Sequence, residues 1–454
     1  MDEVSNPPVR LSNIQGNILA GFNKGFQDFL FLTFANRSTA RAWIEEITSS
    51  PIGVANSHSR KVLDFNAAFK GNTSIKAEWV HLALSYRGLQ FIGIPDDELD
   101  KFPDAFREGM AARAEILGDE GRSAPDRWLK PFDDSCSHIH AVLIAAADDL
   151  ATLNSRTRAI CGTPFFTKGI ARHAKLEGRA RQGREKGHEH FGFKDGVSQP
   201  GIRGVQAQRD GRLLLWPGEF VLGYPTQNNK AKNDHEGPNP DPGPISRGGP
   251  GWARDGSYMV FRKLSQDVAA FEKQLQEFAN EHISADMVGA KMVGRFKSGQ
   301  LLEPATGGVC PIGAHIQKVY PRDERMFKRS LDMRSEVETH RLIRRGIPFG
   351  PSFSASKPTS QNAHRGLLFV AYQSSIESQF EFIQQKWINY WKFPEIPGES
   401  TPGQDPIAAM SPNGQFQMDK DKESINIRHY VTMAGGEYFF SPSIEALRGI
   451  TSHD

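Results

Sequence analysis

Apolar and polar positions along the first half of the chain predict strands that are followed by amphipathic helices. Continuous or alternating apolar residues predict strands over residues 29–34, 79–86 and 139–145. Helical spacing predicts helices over residues 39–47, with Ser38 as the capping residue, over 96–117, and from Leu150 onward. A strand followed by a helix is therefore the recurring unit of this half.

The second half repeats this order of elements. Strands are predicted over residues 257–261, 366–372 and 431–440, and helices with one apolar face over 266–282 and 376–387. Segments 225–251 and 393–414 are rich in Pro, Gly and polar residues, which predicts two long surface loops.

Strand–helix units mixed with unaccompanied strands favour an α+β fold, in which helices pack on one face of antiparallel sheets. The sequence therefore predicts two similar βαββαβ domains, although no residue-level repeat accompanies the repeated order. We place the N-terminal domain at residues 1–200 and the C-terminal domain at residues 201–454.

Length and charge narrow the class of protein. The 454 residues suffice for two or three domains, and 55 basic against 53 acidic residues give a net charge of +2, which offers no reason to expect a nucleic-acid partner. No stretch approaches the roughly 20 apolar residues that span a bilayer, so no membrane partner is expected. The three cysteines are too few and too scattered for a disulfide framework or a zinc cluster.

The first residues contain neither a basic start nor an apolar run, so a secretory signal is not predicted and a cytoplasmic location is expected. Composition does not indicate the oligomeric state, so the chain could be a monomer or a homo-oligomer.

The first candidate for chemistry is Asp195, within the segment Gly-Phe-Lys-Asp-Gly at residues 192–196. An aspartate positioned between glycines can act as an acid, a base or a metal ligand, whereas Asp-Gly is also common in ordinary turns. His188 and His190 precede it and resemble a metal-binding pair, but no third ligand follows at an informative spacing. A metal-dependent hydrolase using these three residues is one alternative.

The second and third candidates lie in the C-terminal half. His315 stands among small residues and Ile, so a large flat ligand could lie against it, and a neutral imidazole in an apolar cavity is a good iron ligand. A hydrogen-bonded, partly buried histidine is the alternative. Arg344 and Arg345 precede a Gly/Pro/aromatic turn, which suggests that one points inward to stabilise a developing anion while its neighbour faces solvent. Two ordinary surface arginines are the alternative.

Together these segments resemble the dye-decolorizing peroxidases, a haem peroxidase family, in its larger fungal and bacterial branch. The resemblance rests on residues 192–196, 314–316 and 344–350, and flanking stretches at 13–19, 256–264 and 435–440 follow in the family's order. It implies one haem b between two ferredoxin-like domains, hydrogen peroxide as oxidant, and dyes or phenols as one-electron donors. A haem-binding or haem-delivery protein of the same fold with little turnover is the second alternative.

The resemblance also implies a role for each candidate. His315 corresponds to the axial ligand of the haem iron. Asp195 corresponds to the distal aspartate, which moves the peroxide proton. Arg344 corresponds to the distal arginine, with Arg345 as the adjacent alternative.

Two further positions follow from the resemblance. Asp405 is the expected acidic partner of His315, and Phe369, with Leu367 and Leu368, is expected to cover the distal side of the haem. Because carboxylates stay ionised down to about pH 4, activity is expected to favour acidic pH. A Trp or Tyr near the surface is expected to pass electrons from dyes that are too bulky to reach the haem.

Overall fold

The computed structural model describes residues 8–133, 139–206, 213–232, 237–302, 309–322, 324–327, 332–354, 356, 363–396, 398, 400–410, 414–418 and 424–451. Residues 1–7, on which the expectation about a signal sequence rests, lie outside the described residues, and so does Cys136. Parts of the two predicted loops, including 233–236 and 411–413, also lie outside them.

Nine strands form one antiparallel sheet that extends through both halves of the chain. In chain order they are β1 (Phe26–Phe34), β2 (Glu78–Leu84), β3 (Ala141–Ala147), β4 (Ile170–Arg179), β5 (Ser257–Gln266), β6 (Ile343–Arg344), β7 (Ile347–Phe349), β8 (Gly366–Gln373) and β9 (Val431–Ser441). The order across the sheet is β6–β8–β5–β9–β2–β3–β1–β4, and β7 pairs with β8.

Each half of this sheet has the same internal order. In the first half the second, third, first and fourth strands lie side by side as β2–β3–β1–β4. In the second half the order is again second, third, first and fourth, with β6 and β7 together in the second position. The predicted pair of βαββαβ units is thereby confirmed. The halves join where β9 meets β2, through the single residue pair Phe440 and Leu84.

Helices occupy the connections between strands. The main ones are α1 (Arg37–Ser49), α2 (Ser59–Gly71), α3 (Leu150–Cys161), α4 (Val268–Phe278), α5 (Ala285–Val293), α6 (His315–Val319) and α7, which consists of two π-helical segments, Ile376–Glu381 and Ile383–Ile388. Shorter helices span Gly16–Leu19, Tyr86–Phe91, Asp96–Leu99, Asp104–Glu108, Ala114–Leu117, Pro164–Gly169, Glu324–Phe327, Asp332–Thr339 and Ile444–Gly449. Within the described part of the chain, no helix combines the length and the apolar character that crossing a membrane requires.

The prediction of one helix over residues 96–117 is wrong, because three short helices occupy that stretch. Pro103 lacks a backbone N–H and begins the second of them, and Gly109 ends it with a φ of 81°, which is unfavourable for other residues. The cap predicted at Ser38 is also wrong. Asn36 caps α1 instead, because its side chain accepts a hydrogen bond from the Thr39 backbone N–H at 2.8 Å.

Two other segments differ from the sequence-based expectation. The helix predicted over residues 266–282 is α4, which begins after Asp267 because this side chain accepts a hydrogen bond from the Ala270 N–H. The segment predicted as a loop over 225–251 contains a paired hairpin of Pro225–Gln227 and Pro242–Ile245.

The core lies between the sheet and its helices and is rich in phenylalanine. Phe31, Phe132 and Phe261 contact one another with ring centroids 5.0 to 5.5 Å apart. Every residue of β3 is buried, which explains why this strand is a continuous apolar run rather than an alternating one.

Candidate active site

One large cavity lies beside the second half of the sheet, and we call it the active cavity. It encloses about 1790 Å³ of space, including the part that opens to solvent. Its walls are mainly apolar side chains from β5, β8, α6, α7 and the loop before residue 200, including Phe191, Phe193, Leu264, Ile316, Leu367, Phe369, Phe380, Ile383 and Ile388. Asp195, His315 and Arg344 all line it, so the structure brings the predicted residues together.

His315 is oriented by one buried carboxylate. Its Nδ1 lies 2.9 Å from Oδ2 of Asp405, whose side chain is completely buried. Because an ionised carboxylate can only accept, Nδ1 carries the hydrogen and donates it. The other ring nitrogen, Nε2, therefore has a free lone pair and is the atom that can bind a metal.

Asp405 is in turn fixed by the backbone. Its Oδ1 accepts hydrogen bonds from the N–H groups of Ile407 and Ala408, at 2.8 and 2.9 Å. Burial raises the pKa of Asp405, but His315 and these two N–H groups oppose it, and the resulting pKa lies below the ordinary value. The carboxylate that orients His315 is thus stabilised in its charged form.

Asp195 reaches the active cavity from a tight loop. Its backbone N–H donates to the Gly187 carbonyl at 2.9 Å. Its Oδ1 accepts from the N–H of Gly196 at 2.6 Å, in a turn where Gly196 has a φ of 71°. The side chain is exposed to the cavity, where a small ligand could reach it.

The partly buried side chain of Glu189 fixes the shape of this loop. Its two oxygens accept hydrogen bonds from the N–H groups of Phe191 and Phe193, both at 2.8 Å, and from the amide of Gln266 at 2.6 Å. Burial raises the pKa of Glu189, and the same hydrogen bonds oppose that rise. The turn before Asp195 is therefore fixed by a side chain that belongs to the loop itself.

Arg344 is connected to the same loop through Gln199. The Gln199 amide donates to the Arg344 carbonyl at 2.9 Å and accepts from the Arg344 N–H at 3.2 Å. The Arg344 guanidinium donates to the Ser198 carbonyl at 3.0 Å. These contacts bring Arg344 and Asp195 to the same cavity although about 150 residues separate them in the chain.

The expectation that one arginine of the pair points inward while its neighbour faces solvent is wrong, because both point inward. The Arg345 guanidinium is buried and donates to the carbonyls of Asn17, Ile18 and Leu19 at 3.0 to 3.1 Å. Burial lowers the pKa of Arg345 to about 10. Of this pair, Arg344 lines the active cavity and Arg345 does not.

The residues of the active cavity fit a large anionic cofactor whose metal His315 could bind through Nε2. Arg295 and Arg322 line the cavity, and Nε of Arg322 is buried with no hydrogen-bond partner among the described residues. A carboxylate of the ligand would satisfy this donor. Phe369 lines the wall, with its ring centroid 6.2 Å from that of Phe380.

The geometry gives no support to the hydrolase alternative. In the part of the chain that the structure describes, no three His, Cys, Asp or Glu residues form a metal-binding group. The ring nitrogens of His188 lie 3.1 Å from the carbonyls of Lys186 and Lys297, and Nε2 of His190 lies 2.8 Å from the Phe349 carbonyl.

Sequence reasoning missed three residues that position the site, namely Glu189, Gln199 and Lys318. Lys318 lies one helical turn after His315, and its ammonium donates to the carbonyls of Tyr390, Phe393 and Gly403 at 2.5 to 2.8 Å. Its position on the same face as His315 was the only sequence signal. Glu189 and Gln199 had none, because the contacts of Glu189 with Gln266 and of Gln199 with the Arg344 backbone join segments that only the fold brings near.

Residues 13–182 match the family model described as the DyP dimeric alpha+beta barrel domain. Residues 221–392 match the one described as Dyp-type peroxidase, C-terminal. The two matches cover most of the chain, in the order of the two βαββαβ units.

Individual relatives match over nearly the whole length. Peroxidase 2 of Mycetinis scorodonius is 32% identical and the alignment covers 98% of this chain and 88% of the relative. The dye-decolorizing peroxidase AauDyP1 of Auricularia auricula-judae is 30% identical, with coverage of 98% and 88%.

Solved structures agree with these sequence matches. An ancestral D-type dye decolorizing peroxidase superposes with a TM-score of 0.82 at 31% identity, covering 98% of this chain and 100% of the other. A dye-decolorizing peroxidase in complex with 2,6-dimethoxyphenol superposes with a TM-score of 0.78 at 30% identity, with the same coverage. From its fold, its sequence and its relatives, the chain belongs to the dye-decolorizing peroxidase family.

Proposed function

We propose that this peroxidase reduces hydrogen peroxide at one haem b, bound through His315, and oxidises phenols and dyes by single electrons. The observation that carries the proposal is the arrangement of one cavity, in which the His315–Asp405 pair lies in the same space as Asp195 and Arg344. The relative that binds 2,6-dimethoxyphenol supports phenols as donors.

Bound haem would supply an iron centre that accepts peroxide and stores its oxidising equivalents. His315 would bind the iron through Nε2, and Arg322 and Arg295 would neutralise the haem carboxylates. Asp405 accepts the Nδ1 hydrogen of His315 at 2.9 Å, which makes the imidazole a stronger electron donor toward a metal.

Asp195 and Arg344, which line the same cavity, would handle the peroxide proton and charge. Asp195, exposed to the cavity, would take the proton from one peroxide oxygen and return it to the other, directly or through one water. Arg344 would stabilise the negative charge that develops as the O–O bond breaks. Its guanidinium is already oriented by the Ser198 carbonyl, so little reorganisation accompanies that step.

Two measurements on the purified chain test this function. An absorption spectrum after haem loading should show a haem with a histidine ligand, and a steady-state assay should show phenol oxidation that depends on peroxide. A chain that binds haem but turns over peroxide no faster than free haem would instead be the haem-binding protein considered as the alternative.

Cytoplasmic location and oligomeric state stay predictions. Cell fractionation tests the first, and light scattering on the haem-loaded chain tests the second.

A further inference from the structure

A second cavity lies where the two halves of the sheet separate, and we call it the junction cavity. β9 and β2 pair only through Phe440 and Leu84, so the strands diverge beyond that point and leave a gap. The gap encloses about 910 Å³ including its mouth, and its lining consists of residues 85–87, 106–109, 111, 112, 125, 128, 132, 133, 139 and 436–438. No described residue lines both this cavity and the active cavity.

In the junction cavity, only one oxygen of the Glu437 carboxylate accepts hydrogen bonds from the described residues. Oε1 of Glu437 accepts hydrogen bonds from the N–H groups of Met110 and Tyr438, at 2.9 and 2.7 Å. Among the described residues, none donates a hydrogen bond to Oε2. Gly109 allows this close approach, since a Cβ there would lie 3.1 Å from Oε1. The carboxylate is thus fixed by one oxygen while the other is available to a ligand.

The walls around this carboxylate are aromatic. Tyr86, Phe106, Trp128 and Phe132 line the cavity, and the rings of Tyr86 and Phe106 meet edge to face with centroids 5.9 Å apart. Trp128 donates its ring N–H to the Ser123 carbonyl, so its ring offers only an apolar surface. Charged side chains, Arg87, Arg107, Glu108 and Asp133, complete the lining. Aromatic walls with a few placed polar groups are typical of sites for small organic ligands.

The junction cavity also lies close to the active cavity. Tyr438 lines the junction cavity, and its ring centroid is 6.2 Å from that of Phe380, which lines the active cavity. The Tyr438 hydroxyl donates to Glu381 at 3.0 Å, which fixes the ring between the two spaces. Two aromatic rings therefore separate a ligand in one cavity from a cofactor in the other.

We infer that the junction cavity binds a small phenol, with its hydroxyl donating to Oε2 of Glu437, and that this phenol is an electron donor to the peroxidase. The donor role rests on the proposed function, whereas binding does not. In the electron-transfer step the phenol O–H bond breaks. One electron passes to the centre that peroxide has oxidised in the active cavity, the proton passes to the Glu437 carboxylate, and a phenoxyl radical leaves.

Equilibrium binding tests the site directly. We would titrate 4-methoxyphenol into the haem-loaded chain at pH 7 by calorimetry, without peroxide. Wild type should bind the phenol. Glu437→Gln should bind it about tenfold more weakly, because the variant loses a charge-assisted hydrogen bond. Ala112→Phe should abolish binding, because the larger side chain fills the mouth of the junction cavity. Ala112 and Ala68 are both exposed, so Ala112→Phe should fold normally and Ala68→Phe on α2 is a matched control that should bind as wild type does.

Absence of binding to wild type, or equal binding by all four proteins, would overturn the inference. A haem absorption spectrum that shifts in proportion to occupancy would also overturn it, because the phenol would then lie in the active cavity. For the donor role, kcat/KM for 4-methoxyphenol should fall about tenfold in Ala112→Phe and stay at the wild-type value in Ala68→Phe. Failure of the proposed function looks different, since phenol binding would persist in a chain that does not turn over peroxide.

Discussion

At the scale of single residues, the two ring nitrogens of His315 have different surroundings, and this difference determines what the residue can do. Nδ1 is occupied by the buried carboxylate of Asp405, so only Nε2 can bind iron. Two other histidines of the C-terminal half are engaged elsewhere. Nδ1 of His340 lies 2.5 Å from the Ser378 carbonyl, and Nε2 of His364 lies 2.7 Å from the Ser265 hydroxyl.

Replacing His315 with Ala should therefore remove the axial ligand. We expect His315→Ala to lose haem, or to keep it with a sharply shifted Soret band, as measured by absorption after haem loading. His364→Ala is the control and should keep the wild-type spectrum, because His364 lies outside the active cavity. An unchanged histidine-ligated spectrum in His315→Ala would assign the axial ligand to another histidine.

Asp195 and Arg344 should act on the same bond-breaking step, so their effects should not add. We expect Asp195→Asn to slow the reaction with peroxide by about 10²–10⁴-fold and Arg344→Leu by about 10²–10³-fold, in stopped-flow measurements on the haem-loaded chain. The double variant should be less impaired than the product of the two effects.

Haem binding should survive in all three variants, since neither residue contacts His315. Asp286→Asn is a matched control, because this exposed aspartate on α5 lies outside the active cavity. If both single variants react with peroxide at the wild-type rate, Asp195 and Arg344 take no part in that reaction.

At the scale of elements, Lys318 connects the short helix α6 to the segment that carries Asp405. Its ammonium donates to the carbonyls of Tyr390, Phe393 and Gly403, and Gly403 precedes Asp405 by two residues. Burial lowers the pKa of Lys318 to about 7, with the nearby Asp405 charge opposing that shift. A five-residue helix has too few backbone hydrogen bonds to be stable alone, so this contact should fix the relative position of His315 and Asp405.

Lys318→Met should leave the carbonyls of Phe393 and Gly403 without a donor, whereas the Tyr390 carbonyl keeps the Phe393 N–H. We expect a loss of about 3 kcal/mol in the free energy of unfolding in urea. A change in the iron–histidine stretching frequency should accompany it, because the hydrogen bond to His315 loosens. Lys386→Met on the exposed face of α7 is the matched control and should change neither quantity. Loss of stability with an unchanged frequency would contradict a positioning role for Lys318.

The sequence predicts the order of strands and helices, but not every side-chain position. Strand–helix order predicted both βαββαβ units, because apolar runs such as β3 and amphipathic helices such as α4 leave strong patterns. The resemblance singled out His315, Asp195, Arg344 and Asp405, which the structure brings to one site. The burial of Arg345 could not be predicted, because its acceptors are backbone carbonyls of a helix that begins at residue 16.

At the scale of the whole molecule, we expect bulky dyes to be oxidised at the protein surface rather than inside the active cavity. Of the seven tryptophans, Trp391 is the exposed one, with 51% of its surface accessible, whereas Trp43, Trp79, Trp128 and Trp387 are buried. We expect Trp391→Phe to lose most of its activity toward a bulky sulfonated dye and to keep its activity toward 4-methoxyphenol.

Electron paramagnetic resonance after peroxide addition should show a weaker tryptophan radical in Trp391→Phe than in wild type. Trp216→Phe is the control, since Trp216 is partly buried beneath the Arg203 guanidinium. Equal losses toward both donors would argue against a surface route through Trp391.

Acidic pH should affect activity and stability in opposite directions, because the core contains neutral histidines. Nε2 of His81 lies 2.9 Å from the Ser441 hydroxyl, and Nε2 of His190 lies 2.8 Å from the Phe349 carbonyl, to which it donates. Burial lowers the pKa of His81 to about 3 and that of His190 to about 4. Acidic pH is also where the peroxidase reaction is expected to be fastest.

The sign of the stability effect follows from which state binds the protons. As pH falls below about 6.5, the unfolded chain protonates these histidines while the folded chain keeps them neutral until its lower pKa values are reached. The free energy of unfolding should thus fall by up to about 1.4 kcal/mol per pH unit for each of the two histidines. Long incubation at acidic pH should then inactivate an enzyme whose initial rate there is high.

His190→Gln tests this account, because glutamine can still donate to the Phe349 carbonyl but does not titrate. Between pH 6.5 and 5 the variant should lose about 2 kcal/mol less free energy of unfolding than wild type, measured in urea on haem-loaded protein. His282→Gln is the matched control, since that side chain is 85% exposed and should leave the wild-type pH dependence unchanged. If His190→Gln and wild type lose the same free energy on acidification, then His190 is protonated in the folded chain and acid sensitivity arises elsewhere.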